Sequence, residues 1–338
     1  MKPSQKMKFG RVDLEVTAFG FGTAPVGNIF REVDEATSEA MFECAWRAGV
    51  RYYDTAPMYG HGLSELRTGH SLRWKERDDF TLSSKVGRVL TSARRQDINY
   101  EPWTNAGRFR MDFDYSYDGT MRSFEDSLQR LNLERMDICF IHDIDRFTRG
   151  DEQPEVFAQA MDGCWKALSD LRDQGAVKAI GVGVNEWEVC HEALQARDFD
   201  CFLLAGRYTL LEQESLDGFL PLCEERGAAV VIGGGFNSGI LATGAVKGAK
   251  YNYAPAPPEI IERVRRIEAV CSAHSVPLPA AALQFVVAHP AIPSFIAGTR
   301  TVGQIERNLA WFEHPIPAAF WSELKSEGLL REDAPTPS

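Results

Sequence analysis

A carboxylate, a phenol, an ammonium and an imidazole stand where three short apolar runs end: Asp54 and Tyr59 in RYYDTAPMYG, Lys85 closing FTLSSK, and His142 closing MDICFIH. A phenol alone, with an ordinary pKa of about 10, is a weak acid and a poor base near neutrality. An ammonium beside its oxygen favours the phenolate, and a carboxylate paired with that ammonium keeps it charged and in place. A neutral imidazole donates a hydrogen bond to a carbonyl or hydroxyl oxygen and fixes its direction. With no metal and no thiol nucleophile implied, the reaction such a set serves is proton transfer at an oxygen coupled to hydride transfer at its carbon. The hydride comes from or goes to a cofactor.

Three strand ends converge only if the strands lie side by side and parallel, which a closed barrel of alternating strands and helices provides. Continuously apolar strand signals begin near residues 18, 50, 80, 137, 179, 200, 228 and 294. Strands apolar on both faces belong in a parallel sheet flanked by helices. Between them run stripes spaced by three and four, such as Met121, Phe124, Leu128 and Leu131, which predict covering helices. Gly175 and Gly227 sit where helices end before the next strand. The fold expected is α/β, a single (β/α)8 TIM barrel in one domain over 1–338, with 8–330 as core and 331–338 as tail, of which Asp333 to Ser338 is expected to fray. Phe9-Gly10-Arg11 with Leu14 and Val16 predicts an N-terminal hairpin that plugs the barrel floor. An open doubly wound sheet would need GxGxxG after its first strand, but Gly20-Phe21-Gly22-Thr23-Ala24-Pro25 places proline at the third glycine. Two stretches without periodicity, Val86 to Tyr117 and Thr243 to Pro257, read as long substrate and cofactor loops.

The chain has 338 residues, 44% hydrophobic content and a formal net charge of -11, with no basic run. That balance excludes a nucleic-acid footprint, which needs clustered positive charge. The start MKPSQKMKFG has charge but no apolar stretch behind it, so it predicts neither a signal peptide nor a membrane anchor. Seven scattered cysteines without CxxC spacing predict reduced thiols in a cytoplasm. Nothing in the sequence speaks to oligomeric state.

Taken in order, Asp54, Tyr59, Lys85 and His142 resemble the catalytic tetrad of the aldo-keto reductase family, and the resemblance covers almost the whole chain. The stretches DYSYDGTMRSFEDSLQRLNLERMDICFIHD, LLAGRYTLLEQ and GGGFNSGILATG are similar to members that oxidise aldoses at C1, and also resemble members acting on L-galactose or pyridoxal. The resemblance implies that Tyr59 is the general base, that Lys85 and Asp54 tune it, and that His142 orients the substrate. It implies oxidation of the C1 hemiacetal of an L-fucose, D-arabinose or L-galactose type of aldose to a lactone, with NAD, or NADP, as acceptor. Reduction of small aldehydes would be a side activity. Pyridoxal, which also closes to a hemiacetal, gives pyridoxolactone by the same chemistry. A cofactor-bound scaffold without turnover is the non-enzymatic alternative, and the intact Tyr-Lys pair argues against it.

Cofactor positions are implied one by one. Asn185 matches the residue on the nicotinamide amide; Phe236, Asn237, Ser238 and Gly239 match the loop at the pyrophosphate. Gly298, Thr299, Arg300, Gln304 and Asn308 match the adenosine end, where a helix start suits an anion. This chain has Gly233 where many members stack a tyrosine on the nicotinamide and Ala205 where they have a glutamine. Gly298 replaces their lysine for the 2'-phosphate, which favours NAD, although the planar guanidinium of Arg300 also suits a phosphate. Trp103 and Trp187 are candidates for the wall of a sugar pocket or for ordinary buried bulk. His142-Asp143-Ile144-Asp145 as metal ligands lacks further histidines at strand ends, so no metal is expected.

Overall fold

The structure, a computed structural model, describes residues 1–337. Eight strands, Phe19–Gly22 (β1), Tyr52–Asp54 (β2), Thr81–Val86 (β3), Ile138–His142 (β4), Ala179–Val184 (β5), Cys201–Ala205 (β6), Ala229–Gly233 (β7) and Ser294–Gly298 (β8), close into a barrel. Each pairs in parallel with its neighbour in sequence, and β8 returns to β1. This is the expected (β/α)8 barrel.

The strands form where both faces are apolar: every residue of β5, AIGVGV, is buried. The pleat sends alternate residues to opposite faces. Tyr52, Ile138, Phe140, Leu203 and Val231 fill the barrel interior. Their neighbours Tyr53, Cys139, Ile141, Leu204 and Ile232 pack under the outer helices. Side-chain caps start several of those helices: Asp34 accepts from Thr37 N–H ahead of Glu35–Arg47 (α1), and Thr301 from Gln304 N–H ahead of Val302–Phe312. Gly175 and Gly227 take the left-handed conformation expected of helix ends, with φ of 75° and 66°.

The N-terminal hairpin pairs Lys6–Lys8 with Glu15–Thr17. Its Phe9, Leu14 and Val16 enter the same interior cluster as the inward strand residues. Arg11 donates to Asp198 and Asp200, just before β6, which locks the plug to the N-terminal end of the barrel. The other end is left for chemistry.

Three expectations change. The stretch from Val86 to Tyr117 is not a structureless loop: Arg88–Ser92 pairs antiparallel with Phe109–Phe113 to make a ribbon. Val89 and Leu90 are buried where the ribbon lies on the helix Tyr117–Leu131, while interleaved charges hide the strand pattern. Within Thr243 to Pro257, Lys250–Tyr251 pairs with Ala254–Pro255. The tail expected to fray from Asp333 is tied down at its start: Ala334 is buried, and just before it Arg331 N–H donates to Gln213 while the Arg331 guanidinium binds Asp217. Among the described residues no single helix is long and apolar enough to cross a membrane.

Candidate active site

Register sets the first contact. Asp54 ends β2 level with Ser83 of β3, two residues short of Lys85, and Lys85 lies level with Phe140 of β4, two short of His142. The strand ends therefore step upward into one mouth. Lys85 Nζ donates to both Asp54 oxygens, at 3.0 and 2.8 Å, and to Thr55 O at 2.8 Å. Ser83 Oγ donates to Asp54 Oδ1 at 2.7 Å. Lys85 is 1% exposed and Asp54 3%, so this is an ion pair out of reach of water. Burial lowers the Lys85 pKa, but Asp54 and Tyr59 outweigh it and the ammonium is held above its ordinary value. Burial raises the Asp54 carboxyl, with Lys85 and Ser83 pulling against that rise.

Tyr59 sits in the loop after β2 with its ring centroid 4.6 Å from Lys85 Nζ. His142 meets the ring edge to face at 6.1 Å, and Trp103 lies 5.8 Å away on the other approach. The structure thus gathers Asp54, Tyr59, Lys85 and His142 with Trp103 beside them. One expectation about their chemistry is corrected: the phenol is not made acidic. Burial pushes its pKa up to about 12, more than the Lys85 charge brings it down, and Asp54 adds to the rise. Burial, with the cations of Arg88 and Lys85, holds His142 well below its ordinary value, so the imidazole is neutral.

The Tyr59 loop is fixed by backbone contact. A Cβ on Gly60, whose φ is 65°, would lie 2.3 Å from Gly27 O, and one on Gly27 would lie 2.7 Å from the Tyr59 carbonyl carbon. Gly60→Ala is expected to destabilise the fold by about 1–3 kcal/mol. Because an ångström of misplacement costs on the order of 100-fold in rate, kcat should fall as well. Urea unfolding and steady-state kinetics check this; a variant as stable and as active as the parent would refute the contact's role.

The expected cofactor residues line the ends of β5, β7 and β8. Asn185 follows β5, and its N–H donates to the buried Asp145 Oδ2 at 2.7 Å. Phe236 packs edge to face on Phe295 of β8. Asn237, Ser238 and Gly239 take successive φ values of 44°, 58° and 102°, a tight turn of the kind that aims N–H groups at anions. Asn237 Nδ2 donates to Gly206 O at 3.1 Å, and Ser238 Oγ accepts from Tyr253 N–H. Gly298 ends β8 and Asn308 is buried on the following helix. Gln304 Oε1 accepts from Arg300 N–H, and Arg300 Nη2 donates to Ile29 O.

Asn237 Oδ1, Thr299 Oγ1 and Arg300 Nε are buried without a partner among the described residues. Buried polar atoms of native proteins are normally paired, so these three keep hydrogen-bonding capacity that a polar ligand could use. Amide, hydroxyl and guanidinium groups are of the chemical types that a dinucleotide's phosphates and ribose hydroxyls would pair with. Trp187 meets His191 one turn on along its own helix, at 6.4 Å. Among the described residues no group of three or more His, Cys, Asp or Glu is placed to hold a metal ion.

Sequence reasoning missed the supports. Ser83 and the Thr55 carbonyl complete the Lys85 cage. The Tyr115 hydroxyl donates to the carbonyls of His142 and Asp143, both at 2.9 Å. Asp143 pairs with Arg88. The available signal was adjacency: Arg88 and Asp143 stand three and one residues past Lys85 and His142.

A closed barrel that brings a phenol, a caged ammonium and a neutral imidazole to the C-terminal ends of its strands has the architecture of a barrel oxidoreductase. The chain belongs to the aldo-keto reductase family: the description "Aldo/keto reductase family" matches residues 18–327. Members of that family are oxidoreductases that use nicotinamide cofactors. The chain is 46% identical over 340 residues to pyridoxal 4-dehydrogenase of Microbacterium luteolum, covering 98% of this chain and 99% of that one. It is 37% identical to D-threo-aldose 1-dehydrogenase of a Pseudomonas species, covering 96% of each. Among solved structures, the aldo-keto reductase AKR11C1 from Bacillus halodurans superposes with a TM-score of 0.72 at 23% identity, over 97% of this chain and 96% of that one, a likeness of fold.

Proposed function

We propose that the protein oxidises a cyclic hemiacetal to a lactone, removing hydride from C1 of an aldose of the L-fucose, D-arabinose or L-galactose type, with NAD as acceptor. The observation that carries the reading is the Tyr59, Lys85 and His142 cluster at the barrel mouth, with Lys85 held by Asp54 inside the wall. His142, neutral, donates to the C1 oxygen and fixes its direction. The Tyr59 oxygen takes the C1 hydroxyl proton, and the nearby ammonium stabilises the charge that develops on the phenol side. Asp54 keeps that ammonium charged. The C1–H hydrogen leaves with its electron pair, so C1 becomes the lactone carbonyl. A bound nicotinamide supplies the hydride acceptor.

Asn185, the 236–239 turn, Thr299 and Arg300 would hold that dinucleotide. NAD is favoured because Gly298 offers no cation and a Cβ there already meets Pro25 Cγ at 3.2 Å. All seven thiols are free and six are buried, which suits a reducing cytoplasm.

Pyridoxal is a second reading, favoured by the 46% identity to a pyridoxal 4-dehydrogenase along nearly the full length. It closes to a hemiacetal and uses the same groups. Turnover of L-fucose, D-arabinose, L-galactose and pyridoxal, each with NAD and NADP in parallel, tests the proposal. Lactone formation from an aldose with higher kcat/KM on NAD is expected. Lactone from pyridoxal alone would select the second reading, and no turnover of any hemiacetal would refute both.

A further inference from the structure

We propose that Asp143 contacts the substrate and determines specificity, its carboxylate accepting a hydrogen bond from a hydroxyl on the carbon next to the reacting one. The inference rests on the hemiacetal reading above and names the substrate feature that the site recognises.

Asp143 follows His142 with φ of 54°, a conformation few non-glycine residues adopt. The turn brings Asp143 Oδ1 to 3.5 Å from His142 Nε2. Its other oxygen accepts from Arg88 Nη2 at 2.6 Å. Arg88 is 4% exposed and its guanidinium lies over the Phe113 ring; its Nε and Nη1 have no partner among the described residues, so Asp143 is its one side-chain hydrogen-bond partner there. Asp143 N–H donates to Gly183 O at 3.0 Å, and Tyr115 binds both flanking carbonyls. The carboxylate is fixed in position, as a specificity group must be. Burial raises the phenols of Tyr59 and Tyr253, and the Asp143 charge adds to both.

Neutralising Arg88 takes one oxygen. The 3.5 Å approach of the other to Nε2 is too long for a good hydrogen bond, so Oδ1 keeps acceptor capacity on the side where His142 would hold the reacting oxygen. A staggered vicinal pair can turn both oxygens to one side of the sugar, so that one reaches Nε2 while the other reaches Oδ1. A substrate whose reacting oxygen lies on Nε2 therefore presents the hydroxyl of the next carbon to Oδ1. An aldose has such a hydroxyl at C2, whereas the ring hydroxyl of pyridoxal sits one carbon farther from its reacting carbon.

The test compares kcat/KM for L-fucose with 2-deoxy-L-fucose, and D-arabinose with 2-deoxy-D-ribose, in the parent, Asp143→Ala and Asp143→Asn. Hydrogen bonds to charged groups predict a parent preference for the hydroxylated member of about 10- to 100-fold. Asp143→Ala should bring that ratio near unity by slowing the hydroxylated member, and Asp143→Asn should leave it intermediate. A purely structural role would slow both members alike and keep the ratio, which overturns the inference. Should Asp143→Ala fail to fold, an unchanged ratio in Asp143→Asn overturns it equally. A parent that oxidises both members equally well sinks the role of Asp143 alone. A parent that oxidises none of these hemiacetals sinks the underlying reading with it, and no variant is needed to see that.

Discussion

Tyr59→Phe is expected to lower kcat by about 100- to 10,000-fold while leaving nicotinamide binding unchanged, the range that a positioned general acid or base contributes. The substitution removes one oxygen and keeps the ring. The packing of that ring against Trp103 and the edge of His142 survives, and so do the Lys85 bonds to Asp54 and Thr55. A fall in kcat with an unchanged melting temperature would separate chemistry from folding. Fluorescence titration with NAD and with NADH measures binding. Near-parental kcat would remove Tyr59 from the proton path, and lost cofactor binding would show that the ring supports the crevice.

Lys85→Met should cost about 3–5 kcal/mol of stability at neutral pH, because it leaves Asp54 buried as an unpaired carboxylate. Activity should fall with it, since the charge that favours the phenolate is gone. The pH dependence has a definite sign. Burial already raises the Asp54 carboxyl, and without Lys85 nothing but Ser83 opposes that rise. A folded-state pKa above the unfolded value means the stability is retained below the unfolded pKa and lost as pH rises through the folded one. The deficit of Lys85→Met should therefore shrink in acid, and adding Asp54→Asn should recover part of it. Urea unfolding across pH measures both; an equal deficit at every pH would contradict an unpaired Asp54.

How much of this was legible in the sequence depends on the range of the physics. Apolar runs that end in Asp54, Lys85 and His142 set strand, register and site together, because a buried parallel strand leaves only its end free for chemistry. The hairpin was legible because Phe9, Leu14 and Val16 have nowhere to go but the barrel interior. The Arg88–Ser92 ribbon was not, since its charges interrupt the alternation and its partner lies about twenty residues away. The rise of the Tyr59 pKa was also hidden. Lys85 was visible as a neighbour, but the burial that outweighs it arises only in the closed fold, which also sets Trp103, His142 and the Gly27 loop against Tyr59. Asp143 stood next to His142 in plain sight, yet its backward turn and its Arg88 partner are properties of the loop geometry.

The most direct test of the central claim, that the Tyr59 oxygen carries the proton, is the pH dependence of single-turnover oxidation and reduction in the parent and in Tyr59→Phe. A phenol pushed up to about 12 is protonated across the neutral range. Oxidation, which needs the phenolate, should accelerate with pH at close to tenfold per unit from neutrality into the alkaline range. Reduction, which needs the phenol, should stay flat, and Tyr59→Phe should lose the slope. Oxidation independent of pH in the parent, or the same slope in the parent and Tyr59→Phe, would contradict the account.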